Sequence, residues 1–332
     1  MFSQPRFRKS APQYVAATAA AALLLTLGAC SSDDGGGGGE GGDKPYVALV
    51  SKGFQHQFWQ AVKKGADDAA AELDVEVTFE GPETETEVDK QLSMLQTALD
   101  KSPDALGFAA LDSEASIPLM TDAQSRGIPV IAFDSGVESD VPVTTVSTDN
   151  VAAAAEAAKH MAELTGGEGK IAVLGHDQTS QTGQQRVSGF VDYIESEAPG
   201  LEIVDVQYAG GDQLKSADAA KSILQANPDL VGIYGTNEGA ATGVVKAVQE
   251  LGKAGDLTVI GFDSGKAQLD AIKDGTMAGA ITQNPVGIGY ETVKAAVAAI
   301  DGEQVEPEID SGFFWYDKDT MDDPEIAEVL YE

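Results

Sequence analysis

Two aspartates draw attention because the sequence around them is nearly duplicated. Val130-Ile131-Ala132-Phe133-Asp134-Ser135-Gly136 returns as Val259-Ile260-Gly261-Phe262-Asp263-Ser264-Gly265. Each copy opens with a short, β-branched apolar run, which reads as a buried strand. Each strand delivers one Asp at its carboxyl end, and Ser-Gly then turns the chain. An ionised Asp presents two acceptor oxygens and no donor. In open parallel sheets, ligands bind in the crevice beyond the carboxyl ends of the strands. Two matched strands therefore predict two matched lobes, each aiming a carboxylate at a shared cleft. No residues for bond-breaking chemistry accompany them. The three histidines, His56, His160 and His176, lack the spacing of a zinc set. Neither a Gly-x-Ser-x-Gly elbow nor a phosphate loop is present. Asp317-Lys318-Asp319-Thr320-Met321-Asp322 begins like a calcium loop, but it lacks the glycine at the sixth position and reads as a solvated acidic tail. The expectation is a binding protein with no metal and no cofactor, not an enzyme.

The elements that must position these aspartates alternate. Strands are predicted at Tyr46–Val50, Val75–Phe79, Ala105–Ala109 and Val130–Phe133, with helices at Phe58–Leu73, Glu85–Asp100 and Ile117–Arg126 between them. Val88, Leu92, Leu95 and Leu99 hold helical spacing in the second of these helices. A second series starts near Asn150, which can cap a helix over Val151–Leu164. Strands follow at Lys170–Leu174, Ile203–Val206, Leu230–Tyr234, Thr258–Phe262 and Ala278–Thr282. The helices of this half are Gln184–Glu197, Ser216–Ala226, Ala240–Leu251 and Val286–Ile300. Alternation of this kind predicts an α/β fold of two doubly wound parallel-sheet lobes. The length of 332 residues is enough for two such lobes.

The N-terminus is of a different kind. Arg6, Arg8 and Lys9 precede an Ala- and Leu-rich run over residues 16–27, too short to span a bilayer comfortably. Leu27-Gly28-Ala29-Cys30 resembles a bacterial lipobox, in which the cysteine is lipidated and becomes the first mature residue. Cys30 is the only cysteine, so it has no disulfide partner within the chain. A glycine-rich stretch through Lys44 follows, with five consecutive glycines at 35–39, and reads as a flexible tether. Residues 1–29 are thus expected to be a leader, and 30–44 an anchor and spacer that attach the protein to a bacterial membrane from outside the cytoplasm, through lipid alone. The formal charge is −33. The leader carries three of the 21 basic residues and none of the 54 acidic ones, so its removal makes the body more acidic still. Such a surface repels phosphate backbones and excludes nucleic acid as a partner.

Together the motifs resemble those of the ribose-type periplasmic binding proteins, the solute receptors of sugar ABC transporters. Ala48-Leu49-Val50-Ser51 with Phe58-Trp59 resembles the opening strand and aromatic pair of that family, and Asp134 ends the fourth strand. Arg186-Val187-Ser188-Gly189-Phe190, Tyr234-Gly235-Thr236-Asn237-Glu238, Gly261-Phe262-Asp263 and Ile281-Thr282-Gln283 complete the set, which spans nearly all of residues 45–316. The resemblance implies a type I periplasmic-binding-protein fold with a three-crossover hinge near Thr148-Asp149, Gln283-Asn284 and Ser311. Residues 45–148 with 284–310 would form the N-terminal lobe, and 149–283 with 311–332 the C-terminal lobe. Phe58 and Trp59 would pack on a sugar, while Asp134, Arg186, Asn237, Asp263 and Gln283 would hydrogen-bond its hydroxyls. The implied partners are a monosaccharide and an ABC permease, with the receptor acting as a monomer. No helix-turn-helix segment precedes the first strand, which speaks against a repressor of similar architecture.

Departures from the ribose pattern bear on which ligand is held. His56, Ala109, Ser135 and Gly211 replace an Asn, an Asn, an Arg and an aromatic residue at the corresponding places, so His56 and Ser135 join the candidate ligand contacts. Lys52 and Thr78-Phe79-Glu80-Gly81-Pro82-Glu83 also resemble the receptors for the furanosyl signal autoinducer-2. Lys52 is therefore a candidate contact as well. A receptor for that signal, or a sugar-sensing signalling receptor, is the alternative reading. The lipobox generates the first expected outcome. Cys30→Ser should release the protein into the medium or leave its leader uncut, as read by fractionation and intact mass, and unchanged membrane association would contradict the anchor.

Overall fold

A computed structural model describes residues 44–331. The expected leader, Cys30 and glycine tether lie outside the described residues. Among the described residues no helix is long and apolar enough to cross a membrane.

The first half places β1 (Tyr46–Val50), β2 (Glu76–Glu80), β3 (Ala105–Phe108), β4 (Val130–Phe133) and β5 (Thr144–Ser147) in one sheet with α1 (Gln57–Leu73), α2 (Val88–Asp100) and α3 (Ile117–Ser125) between them. The second half repeats the plan with β6 (Gly169–Gly175), β7 (Leu201–Tyr208), β8 (Leu230–Gly235), β9 (Thr258–Phe262) and β10 (Gly279–Gln283). Its helices are α4 (Asn150–Thr165), α5 (Gln181–Glu197), α6 (Gln213–Ala226), α7 (Glu238–Glu250) and α8 (Lys266–Asp274). Then α9 (Pro285–Ile300), β11 (Glu308–Asp310), β12 (Phe313–Asp317) and α10 (Pro324–Ala327) finish the chain.

The two sheets have matching order. One runs β11-β5-β4-β3-β1-β2 and the other β12-β10-β9-β8-β6-β7. The first is parallel throughout, whereas β12 pairs antiparallel with β10 at the edge of the second. Because the shared five-strand order doubles back on itself, helices lie on both faces of each sheet. Four apolar clusters result, one per face. Val47, Val62, Ile131 and Ile288 typify the cluster under α1 and α9, and Leu95, Leu106 and Met120 the one under α2 and α3. Val244, Val259 and Ile272 fill one face of the second sheet, and Ala157, Val173 and Phe190 the other. A strand covered on both sides must be apolar throughout, which is why β3 and β4 are entirely buried.

The chain passes between the sheets three times, after β5, after β10 and between β11 and β12. The tail reaches back again. Tyr331 packs its ring edge on Phe58 at 6.2 Å, while its hydroxyl accepts from Ser264 N at 3.2 Å.

Several boundaries differ from expectation for identifiable reasons. Asp149, not Asn150, caps α4 by accepting from Ala152 N, and Asn150 becomes the first helical residue. The expected helix over 85–100 begins only at Val88, where its apolar period also begins. β5, β11, β12, α8 and α10 were not expected: β5, β11 and α10 are three or four residues long and β12 lies at a sheet edge, although its aromatic run Phe313-Phe314-Trp315-Tyr316 is itself a strand signal. The acidic stretch after β12 is a folded turn: Asp317 Oδ1 accepts from Asp319 N, Thr320 N and Thr320 Oγ1.

One buried side chain fixes the ends of the first sheet beneath the cleft. Gln91, 1% exposed, donates to Ser51 O and Ala109 O at 2.9 and 2.8 Å and accepts from Leu111 N at 3.1 Å. These groups lie just past β1 and β3, where the ladder stops and no neighbouring strand can serve them. Gln91→Leu would orphan all three, at about 1–3 kcal/mol for a buried group left unpaired. Urea unfolding should show a loss of at least that size. A change within about 0.5 kcal/mol, the ordinary scatter of a surface substitution, would contradict this role.

Candidate functional site

The carboxyl ends of both sheets face one another across a shut cleft. At its centre is a narrow space of about 260 Å³, its open mouth included. Lys52, His56, Phe58, Trp59, Glu85 and Asp134 line it from the first lobe, and His176, Thr182, Arg186, Asn237, Asp263 and Gln283 from the second. Nine of the ten candidate ligand contacts named from sequence are in this set. Ser135 is the exception. It is fully buried, its backbone closes the turn after β4, and its hydroxyl has no partner and does not reach the cavity.

The duplicated motif is duplicated in three dimensions. Asp134 follows β4 and Asp263 follows β9, the corresponding strand of each sheet. Both adopt left-handed backbone geometry, with φ of 57° and 78°. Asp tolerates this region better than most side chains. In each, the backbone N–H donates to the next strand, Asp134 to Val146 O at 2.9 Å and Asp263 to Ile281 O at 2.6 Å. The bend turns the side chain out of the sheet edge and into the cleft.

Their surroundings are not equivalent. Each carboxylate oxygen of Asp263 already has one donor: Oδ1 accepts from Gln283 Nε2 at 2.6 Å, Oδ2 accepts from Glu238 N at 2.8 Å, and Arg186 stands 4.0 Å away. Asp134, 5% exposed, receives no hydrogen bond from any described residue. Burial pushes its carboxyl up to about 6, against the pull of Lys52 and Arg186.

The cations are held in place by others. Arg186 lies in the second turn of α5, with its guanidinium 3.8 Å from the centre of the Phe262 ring. Its Nε donates to Asn150 Oδ1 at 2.7 Å and its Nη1 to Thr236 O at 3.1 Å. Asn150 can do this because Asp149 has taken over the cap. Lys52, 3% exposed, crosses from the first lobe to donate to Thr182 Oγ1 at 3.0 Å. Phe58 and Trp59 meet edge to face at 5.0 Å and belong to the core cluster as well as to the cavity wall. Asn237 likewise has two tasks, accepting from Ala240 N as the cap of α7 and donating to Glu85 Oε2 at 3.4 Å.

Three cavity residues escaped the reading of the sequence. Glu85 was expected inside a helix, but because α2 starts later it sits in the loop before it and points inward. Its side chain is 7% exposed, and Oε1 accepts from the Trp59 indole at 2.7 Å. Burial raises its carboxyl, but nearby His56 and Lys52 more than offset this and hold it below its ordinary value. His176 follows β6, and burial drops its imidazole to about 3, so it is neutral and serves as a hydrogen-bonding group to Thr236 Oγ1 at 2.8 Å. Thr182, near the start of α5, completes the link between His176 and Lys52. The position of His176 just past a predicted strand was the available signal. For Glu85 it was the apolar period that begins three residues later. Neither Ala109 nor Gly211 lines the cavity: Ala109 is buried in the first-lobe core, and a Cβ on Gly211 would lie 2.9 Å from Asn237 Nδ2 and 3.1 Å from Glu85 Oε2, so no side chain fits there. Among the described residues no cluster of side chains could hold a metal ion.

The chain as a whole has known counterparts. Residues 47–304 match the family model described as periplasmic binding protein domain. The D-allose-binding periplasmic protein of Escherichia coli is 30% identical over 268 residues, which cover 78% of this chain and 86% of that protein. The ribose import binding protein of Bacillus subtilis is 28% identical, over 79% of this chain and 84% of that one. Among solved structures, an ABC transporter solute-binding protein from Agrobacterium vitis with bound D-fucose superposes with a TM-score of 0.84 at 35% identity, covering 86% of this chain and all of that one. A carbohydrate transporter solute-binding protein from Agrobacterium radiobacter in complex with D-arabinose gives 0.84 at 30% identity, covering 87% and 99%. With two lobes, matched strand ends and a cavity between them, this chain belongs to the periplasmic binding protein domain family.

Proposed function

We propose that this protein captures a neutral monosaccharide between its lobes by hinge closure and delivers it to an ABC permease, while tethered to the cell membrane through lipid on Cys30. The observation that carries the ligand class is the cavity itself. Three buried carboxylates, Asp134, Asp263 and Glu85, face two fixed cations, Lys52 and Arg186, beside an aromatic wall. A sugar supplies what that set lacks, namely hydroxyl donors for Asp134 and a C–H face for Phe58 and Trp59. The described relatives bind sugars of this kind, D-allose, ribose, D-fucose and D-arabinose.

Each residue then has a task. Asp134 accepts from ligand hydroxyls across the cleft from Asp263, which Gln283 and Glu238 hold in place. Arg186 and Lys52 donate to ring or hydroxyl oxygens. Asn237, His56 and Glu85 form the rim opposite. We take residues 45–148 with 284–310 as one body and 149–283 with 311–332 as the other, with the three connecting passes as the hinge. The full set assembles only when the lobes shut, which makes the closed form the message a permease can read.

The imbalance of charge predicts discrimination. A phosphate ester would add a dianion beside three carboxylates in a partly desolvated space. Calorimetry should show the neutral sugar binding more tightly than its phosphate, and the reverse order would show the site to be misread.

The two aspartates should separate in stability but not in binding. Asp134→Asn and Asp263→Asn should each weaken the sugar by roughly ten- to a hundredfold, the worth of about 1.5–3 kcal/mol for hydrogen bonds to a charged group. Without sugar they should diverge. Asp263→Asn disturbs a completed network and should lower the melting temperature. Asp134→Asn removes a buried carboxylate whose folded-state value is raised from 3.8 to about 6. A raised acid is a burden above that value and none below the unfolded one. Asp134→Asn should therefore melt higher than the parent at pH 7–8 and lose this advantage between pH 6 and 4. Equal melting shifts for the two variants at neutral pH would contradict the asymmetry.

A further inference from the structure

The glycine that closes each copy of the duplicated motif has no backbone reason to be glycine. Neither Gly136 nor Gly265 has a left-handed φ, and Gly265 lies at −59°, open to any residue. What each position lacks is room: at Gly136 the opposite lobe's Gln181 fills it, and at Gly265 Glu238 of the same lobe and Gln57 of the opposite lobe fill it together. A Cβ on Gly136 would stand 2.3 Å from Oε1 of Gln181, the first residue of α5. A Cβ on Gly265 would stand 3.2 Å from Oε1 of Gln57, the first residue of α1, and 2.8 Å from the carboxylate carbon of Glu238.

The two glutamines are themselves equivalent. Each opens the helix that follows the first strand of its half, β1 or β6. Each bonds just beyond the glycine it faces. Gln57 Oε1 accepts from Lys266 N at 2.8 Å, and Gln181 Nε2 donates to Val137 O and Glu138 Oε1 at 3.3 Å. At the Gly265 seat the exchange is reciprocal. His56 gives α1 no side-chain cap, and Glu238 supplies one from the other lobe, accepting from Gln57 N and Phe58 N at 3.1 and 3.2 Å. Gly265 has no side chain to cap α8, and Gln57 supplies that cap in return.

We infer that Gly136 and Gly265 are seats for Gln181 and Gln57, and that these paired contacts set the affinity for ligand by fixing how long the lobes stay shut. None of the four residues lines the cavity. Their bonds exist only in the shut form; when the cleft opens, water takes their place. The apparent affinity of a protein that must close falls with the fraction that is closed, and loss of a closing contact shows in the dissociation rate. The inference rests on the sugar-binding reading above.

Stopped-flow kinetics and calorimetry with D-allose, D-ribose, D-fucose and D-arabinose test it, using whichever of these the parent binds. Gln57→Ala and Gln181→Ala shorten part-exposed side chains and leave the core intact, and Gly136→Ala fills a seat. Each should speed dissociation roughly five- to fiftyfold, the worth of about one or two hydrogen bonds, with association changed less than about twofold. In the Gln181→Ala background, Gly136→Ala should have little further effect, because the group it displaces is gone. A separate readout needs no sugar. Spin labels at Glu83→Cys and Leu214→Cys, exposed on opposite lips of the cleft in a Cys30→Ser background, report the spread between the lobes. The glutamine variants should shift that distribution toward open. Parent-like dissociation and parent-like distances would overturn the seats. A parent that binds none of the sugars, while the variants still open the cleft, would overturn the ligand reading and support the seats.

Discussion

Burial makes an ionised carboxylate costly, and Asp134, which faces the cavity of the shut cleft with no hydrogen bond from any described residue, bears that cost. Lys52 and Arg186 stand near it, but their hydrogen bonds go to Thr182, Asn150 and Thr236. Closure without a ligand therefore carries a penalty that a hydroxyl-bearing ligand removes. That one unmet acceptor couples occupancy to shape. Asp263 is the counterweight, a carboxylate already satisfied by Gln283 and by the first N–H of α7. One lobe thus offers a finished surface and the other an unfinished one.

The fold serves this by repetition. Two sheets with the same five-strand order bring their carboxyl ends together, so one short motif used twice places both aspartates at the cleft. The left-handed bend at each Asp turns the side chain off the strand, and the glycine two residues later leaves a place for the opposing lobe. Ligand contact and lobe contact are separated by two residues of chain. Helix termini do the remaining work. Asn237 and Asn150 each sit at a helix start and lend a side chain to the site, and Glu238 caps a helix that is not its own.

Much of this was readable in the chain because the signals were local. Apolar runs bounded by turn residues marked the central strands, and the duplicated Asp-Ser-Gly marked the cleft. The motif resemblance brought Lys52, His56, Phe58, Trp59, Arg186, Asn237 and Gln283 to the same place. Features set by distant partners were not legible. Ser135 follows Asp134 directly, yet the bend that turns Asp134 inward turns Ser135 away. Glu85 was assigned to a helix on composition, whereas the apolar stripe of α2 starts only at Val88. Asn150 looked like a cap until Asp149 took that position and left its amide for Arg186. Edge strands β11 and β12 pair with segments far away in sequence, and nothing within them announces the partner.

The claim at the centre of this account is that one sugar is held simultaneously from both lobes. A crystal structure of the protein grown with a sugar that it binds in solution tests this most directly. The account predicts one ring in the cavity, a hydroxyl within hydrogen-bond distance of Asp134, another polar atom within reach of Asp263 or Arg186, and an aromatic face at Phe58 or Trp59. A sugar bound to a single lobe, or outside the cleft with Asp134 still without a donor, would contradict it.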